Sequence, residues 1–428
     1  METKLNKIME LSNKNCEVRF KWLMPHFKKE VLISCFHELD GKKAVGIDGI
    51  TKEEYSKNLE ENIDELIKKM KSMSYRPKAV KEVLIPKEGK KGETRPLGIS
   101  SFEDKIVQLL MAKILEAIYE PIFKKCSYGF RPGKSCHTAI KALHRHLRNR
   151  YNEIVIDVDL KNFFGKIQHD KLIEFLRIKI KDEGFIRYIS RMLKAGIFKE
   201  GRFETSEEGS PQGNIVSPIL SNIYAHYVID TWIEDIAPKY TRNEIKSFRY
   251  ADDMVICCYY RSDSVKVIEA LKKRLNKYGL EINAEKTKVV KFNKRQFVNV
   301  KQGTFDHLGF TFYIRRSRKG SIHVAIKTSK KRFLSKLRKV KLWCRLYKDK
   351  VKLKQLWAIF NLKLNGHIRY YGVSLNSDAV YRFVHQAIGI FFKWINRRSQ
   401  RRSMTWEQFN KFRKSFPSAK AAIHHRLF

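Results

Sequence analysis

The sequence predicts an α+β fold. Three observations carry that prediction. The run Ile154 to Leu160 alternates in strand fashion. The stretch Ser247 to Tyr260, SFRYADDMVICCYY, reads as two short strands that turn at adjacent carboxylates. Both are set among segments whose apolar residues recur at helical spacing between recognisable caps.

Taken in order, residues 1 to about 50 are lysine-rich, with Val31, Leu32, Cys35, Phe36 and Leu39 at helical spacing and a GIDG turn to follow. Thr51-Lys-Glu-Glu54 has the capping-box form, and Tyr55, Leu59, Ile63, Leu66 and Met70 predict one amphipathic helix behind it. Tyr75 to Ser100 switches to strand character and predicts a basic hairpin. Ser101 caps a further helix bearing Ile106, Leu110, Ile114 and Ile118, which Pro121 stops. A loop, CSYGFRPG, then leads to a helix through Ile140, Leu143 and Leu147. In the strand that follows, Ile154, Ile156, Val158 and Leu160 share one face, while Asp157 and Asp159 share the other. After a helix at 170–180, Ser217 with Pro218 signals the start of another, closed by Pro238. Beyond the Asp252-Asp253 hairpin a helix through Ile268, Leu271 and Leu275 ends at Gly279. Leu280 to Val290 and Phe305 to Tyr313 read as strands.

A composition shift follows. Between Lys327 and Lys354 there are thirteen Lys or Arg residues against the single acid Asp349, interleaved with Phe333, Leu337, Val340 and Trp343. The pattern is a helix with a core face and a cationic face. Helices around Trp357 to Tyr371 and Val384 to Ile395 continue it toward a basic end that includes Arg397 and Arg398.

The 428 residues suffice for two or three cores. A net charge of +43 is far beyond what an ordinary enzyme carries and points to a polyanionic partner, nucleic acid first. No run of about 18 apolar residues exists to span a membrane. Seven cysteines without a C-x-x-C pair indicate neither a disulfide framework nor a zinc ribbon and suit a reducing cytoplasm. The opening residues, METKLNKIMELSNKN, carry acids and lack an apolar core, so no secretory or transit peptide is expected.

Adjacent carboxylates at a turn repel, and a cation such as Mg2+ relieves the cost, although an Asp-Asp pair at a solvated tip is also ordinary turn chemistry. The strand acid changes the balance. If strand and hairpin pair in one antiparallel sheet, Asp159, Asp252 and Asp253 come together. That is what phosphoryl transfer with two metal ions roughly 4 Å apart requires. Spacing alone does not say whether Asp157 or Asp159 faces the metal.

The blocks GIDG, IPK, RPLGI, SYGFRPG, DVDLKNFF, GSPQG, YADD, EKTK, HLGF, GHIRYYG and FKWINRRSQ stand in this order between residues 46 and 400. Together they resemble the reverse transcriptases, or maturases, encoded by group II introns. The resemblance implies a right-hand polymerase with fingers, an antiparallel palm sheet and thumb, followed by an α-helical maturase domain. It suggests a basic extension with the first fingers motif at 1–50, fingers at 51–150, palm at 151–315, thumb at 316–375 and maturase helices at 376–428. It implies that Asp159, rather than Asp157, binds two Mg2+ ions with Asp252 and Asp253. Phe164 would sit beneath the incoming sugar and exclude a ribose 2′-hydroxyl. Lys87 and Arg95 would clamp the triphosphate, Gln212 would shape the nucleotide pocket, and Lys286 would serve as a general acid near the pyrophosphate. Lys330, Lys331, Arg332, Lys336, Arg338, Lys339, Arg397 and Arg398 would bind RNA.

The implied partners are the group II intron RNA, an RNA template with a DNA or RNA primer, deoxynucleoside triphosphates and target DNA. The implied setting is a bacterial, nucleoid-associated ribonucleoprotein. Two departures stand out: Gly165 replaces an Asp usual after the Phe-Phe pair, and Asn214 replaces a Gly after PQG. The final residues, AAIHHRLF, hold no Cys and His cluster of the kind that marks a DNA-cutting domain, so no second-strand cleavage is expected. Two other lives remain open: a splicing factor acting mainly by binding RNA, and a domesticated enzyme of phage defence or DNA repair.

Overall fold

The computed structural model describes residues 2–15, 17–86, 92–199, 202–205, 207–210, 213–298, 300–398 and 403–427. Lys87 and Gln212 lie outside them. The chain forms two compact units, Met1–Ser135 with Val158–Thr287 and Cys136–Asp157 with Lys288–Phe428. Its strands are β1 (Val80–Pro86), β2 (Thr94–Ile99), β3 (Ile154–Asp159), β4 (Ile197–Lys199), β5 (Arg202–Glu204), β6 (Ile245–Tyr250), β7 (Asp253–Cys258), β8 (Lys288–Lys291), β9 (Phe305–His307), β10 (Phe310–Arg316) and β11 (Ile322–Thr328).

In the first unit the basic hairpin forms as the sequence predicts, with β1 antiparallel to β2, and β4 joining β1 in parallel. The helix Phe102–Tyr119 is its spine. Ser101 caps it through a bond from the Asp104 amide, and Ile106, Leu110, Ile114 and Ile118 are wholly buried. The capping box at Thr51 also forms, but the single helix expected behind it is two, Lys52–Ser56 and Leu59–Lys71. Asn58 leaves helical geometry between them, and the Asn62 side chain donates to the Tyr55 carbonyl across the break. The helix Ser217–Ala225 begins one residue earlier than the Ser-Pro signal suggests and runs on into two π-helical turns, His226–Asp230 and Trp232–Ile236. Arg261–Lys277 ends at Gly279, whose φ of +68° is the left-handed cap its position calls for.

The four-stranded sheet that carries the acids has the order β6-β7-β3-β8, with β6 and β7 an antiparallel hairpin. This places the strand that ends in Asp159 beside the strand that begins with Asp253. Leu280 to Val290 is not one continuous strand: Lys288–Lys291 pairs antiparallel to Ile154–Asp157, and Ile282 makes an isolated antiparallel bridge to Leu160. The polar stretch Asn283 to Thr287 folds instead into a turn, with the Asn283 carbonyl accepting from the Lys286 and Thr287 amides.

The second unit carries the helix Cys136–Asn149, a meander of β9, β10 and β11, and the helices Lys330–Tyr347, Leu353–Tyr371, Ser377–Ile395 and Trp406–Ser415. The Leu353–Tyr371 helix buries Trp357 against Phe360, Phe391, Phe409 and Phe412, and the indole N–H donates to the Phe416 carbonyl at 2.8 Å. Tyr370 and Trp406 also make contacts within this unit: Tyr370 donates to the Leu308 carbonyl, and Trp406 stacks 3.9 Å from Phe392. No described helix is long and apolar enough to cross a membrane.

Candidate active site

The site is built on a turn and two flanking segments of the first unit. Tyr250 pairs with Asp253 across the hairpin, leaving Ala251 and Asp252 at its tip. Ala251 has φ +57°, a left-handed conformation that costs a residue with a side chain about 1–2 kcal/mol. The loop SYGFRPG lies directly against it. A Cβ on Gly129 would stand 2.5 Å from the Ala251 nitrogen, so only glycine lets the two backbones approach.

Asp159, half-buried at the end of β3, accepts a hydrogen bond at Oδ1 from the Lys286 ammonium, 3.2 Å away. Its amide donates to Thr287 Oγ1 at 3.2 Å, and its carbonyl accepts from the Asn283 amide at 2.8 Å. The 283–287 turn, where the sequence pattern suggests strand, is therefore what seats both Asp159 and its lysine. Asp252 is exposed to solvent at the tip of the hairpin. Desolvation nonetheless holds its carboxyl above the ordinary carboxylate range, and the charges of Asp253 and Asp159 push the same way. Lys286 and a backbone amide pull against them. The three acids thus share one electrostatic neighbourhood.

Donor chemistry and charge in this neighbourhood suit a hard divalent cation: oxygen donors throughout, and a surplus of negative charge that Lys286 only partly offsets. Among the described residues, no three His, Cys, Asp or Glu side chains already stand together as a metal cage.

Phe164 lies in the 3₁₀ turn Phe163–Lys166, half-buried. It meets Phe163 edge-on at 5.6 Å and Phe130 at 6.4 Å, and Phe130 stands 6.4 Å from Tyr250 of the hairpin. Sequence reasoning missed this aromatic chain; Phe130, at φ +54° and half-exposed, belongs to the SYGFRPG block, which is the signal that could have found it. A Cβ at the unusual Gly165 would fall 2.4 Å from Asn162 Nδ2, the end of a side chain that can shift, and a Cβ on Gly209 would lie 3.2 Å from Gly165 Cα. Arg95 is exposed on β2 opposite Ile85.

In the second unit Lys330, Lys331, Arg332, Arg338 and Lys339 are exposed on the Lys330–Tyr347 helix, and Lys336 is half-exposed. Arg397 is exposed and rides over the Trp394 ring at 5.1 Å. Arg398 is turned inward and donates to the Val351 carbonyl.

Such a turn between paired strands, with an acid on the neighbouring strand, is the arrangement of a nucleotide polymerase palm. The pattern of the reverse transcriptase (RNA-dependent DNA polymerase) family matches residues 85–312, and the chain belongs to that family. Its relatives include intron-encoded proteins. The group II intron-encoded protein LtrA of Lactococcus lactis subsp. cremoris is 34% identical over 239 residues, which cover 56% of this chain and 39% of LtrA. An uncharacterized 91 kDa protein in a cob intron of Schizosaccharomyces pombe is 37% identical over 239 residues, 55% of this chain and 29% of that protein. Protein YkfC of Escherichia coli K12 is 30% identical over 317 residues, 66% of this chain and 80% of YkfC. Within the reverse transcriptases, the chain is similar to proteins encoded by introns, among them a group II intron-encoded protein. It spans about two fifths of the length of LtrA.

Proposed function

We propose that this chain copies RNA into DNA from a primer 3′-hydroxyl, and that it also binds its own group II intron RNA to assist splicing and retromobility as a ribonucleoprotein. The observation that carries the catalytic half is the shared neighbourhood of Asp159, Asp252 and Asp253. These three would hold two Mg2+ ions, which when bound supply activation of the attacking hydroxyl and stabilisation of the departing pyrophosphate. Lys286 would leave Asp159 to donate a proton to that pyrophosphate. Phe164, braced by Phe163 and Phe130, would block a ribose 2′-hydroxyl, while Arg95 with Lys87 would clamp the triphosphate and Gln212 would help shape the nucleotide pocket. The fingers, palm, thumb and maturase boundaries implied by the resemblance, the target DNA and a nucleoid-associated setting belong to the same proposal.

The test is primer extension on an RNA template with Mg2+. Asp252→Asn and Asp253→Asn should each abolish extension and leave RNA affinity intact. Unchanged extension in either removes the assignment. Phe164→Ala should admit ribonucleotides, and unaltered sugar selectivity removes the steric role.

A second reading, a splicing factor acting through RNA binding alone, is favoured by the exposed cations of the Lys330–Tyr347 helix. Splicing that survives the Asp252→Asn change but not neutralisation of that helix would separate the two roles.

A further inference from the structure

Arg249 has no part in the chemistry above, yet among the described residues it is the bulkiest side chain buried completely. A guanidinium carries five N–H donors and does not lose its charge at any ordinary pH. Inside this protein every one of the five is used. Nε donates to Asp230 Oδ1 at 2.7 Å. Nη2 donates to Asp230 Oδ2 at 2.6 Å and to Ser127 Oγ at 2.7 Å. Nη1 donates to Asn222 Oδ1 at 3.2 Å and to the Ala251 carbonyl at 3.0 Å. Asn222 in turn donates to the Gly129 carbonyl at 2.7 Å. The backbone of Arg249 is fixed as well, its amide donating to the Cys126 carbonyl and its carbonyl accepting from the Tyr128 amide, both at 2.8 Å.

A buried ion pair adds little net stability, because desolvating both charges offsets their attraction. What it supplies is geometry. The planar fork fixes its partners relative to one another, and one of them is the carbonyl of Ala251, the residue just before Asp252. That residue holds a left-handed backbone it would not keep unaided. Gly129 presses on the Ala251 nitrogen from one side while Arg249 holds its carbonyl from the other. Asp230 closes a π-helical turn, a widened helical geometry that frequently accompanies functional sites. Burial opposes the guanidinium's charge, and the charge and hydrogen bonds of Asp230, joined by the weaker pull of Asp252, more than offset it.

We infer that Arg249, with Asp230 and Asn222, is the positioning device of the catalytic turn: it locks the Ala251 carbonyl and thereby sets where Asp252 presents its carboxylate. The inference rests on the polymerase reading of that turn, but its claim concerns the turn itself.

Arg249→Lys keeps the charge and removes the fork. Hydrogen exchange read on a peptide spanning 250–254 should accelerate about tenfold relative to wild type, and by more than on peptides remote from the turn. In primer extension kcat should fall about tenfold or more while KM for the nucleotide stays within about twofold, and half-maximal activity should need several-fold more Mg2+. Unchanged exchange at the turn with kcat within about twofold of wild type overturns the inference. So does a lower kcat with unaltered turn exchange and Mg2+ dependence, which marks a structural staple and nothing more. If Arg249→Lys does not fold, Asn222→Ala carries the same test, since it removes one Nη1 acceptor and leaves the ion pair. It should give the same signs at about threefold, and no change in it is equally fatal. A wild-type chain without primer extension would defeat the polymerase reading, and the exchange measurement would still decide the positioning claim.

Discussion

Two carboxylate–cation pairs in the first unit differ in almost every respect except charge. Arg249 and Asp230 are about 1% exposed on each side, 2.6 Å apart, with every guanidinium donor satisfied. Lys286 and Asp159 are 53% and 41% exposed and meet at 3.2 Å. The first pair is permanent, since parting it would leave a bare charge in a dry interior. The second is exchangeable, since water can replace either partner at little cost. The contrast separates the part that holds the turn from the part able to trade its lysine for substrate or metal.

The strongest way to break the contrast is Asp230→Ala. It strands a buried guanidinium and should cost about 3–5 kcal/mol in chemical denaturation. A loss below about 1 kcal/mol would mean the pair is not the anchor described. Lys286→Ala should leave stability within about 0.5 kcal/mol and lower kcat for primer extension about a hundredfold. A stability loss matching that of Asp230→Ala would erase the distinction.

The cations on the Lys330–Tyr347 helix extend the comparison to charges facing solvent. Neutralising Lys330, Lys331 and Arg338 should weaken RNA binding and flatten its salt dependence, by about one log unit per log of salt for each phosphate no longer neutralised. A salt-insensitive affinity would contradict that surface role.

The smallest effect is also the most specific. The Asp252 carboxyl is held above the range of an unfolded chain, so between the two values the folded state binds more protons. Its charge therefore takes stability away as pH rises through that window. Asp252→Asn should melt slightly higher than wild type at neutral pH, with the gain vanishing below the pH where an unfolded Asp protonates. Melting curves across pH would check this, and a variant that is less stable at neutral pH would show the carboxylate is not under strain.

Much of this was legible in the sequence, because strand alternation and capping are local. Asp159 on its strand, the 252/253 hairpin, the Thr51 and Ser101 caps and the Gly279 stop all depend on neighbours within a few residues. Signals present but passed over include the capping box at Thr405 and the alternation of Ile322, Val324 and Ile326 in β11. Arg249 was not legible at all. A long cation in a strand usually faces water, and its partners Ser127, Asn222 and Asp230 lie 122, 27 and 19 residues away in the chain. The roles of Gly129 and Thr287 are hidden for the same reason, since each is defined by an approach between distant segments.

The central claim is that Asp159, Asp252 and Asp253 converge on divalent ions when a primer end and a nucleotide are present. Anomalous scattering from Mn2+ in crystals of the chain with an RNA template, a DNA primer and an incoming deoxynucleotide measures this directly. The account predicts manganese bound by these carboxylates, with Lys286 released from Asp159. Manganese bound elsewhere, with Lys286 still seated on Asp159, would contradict it.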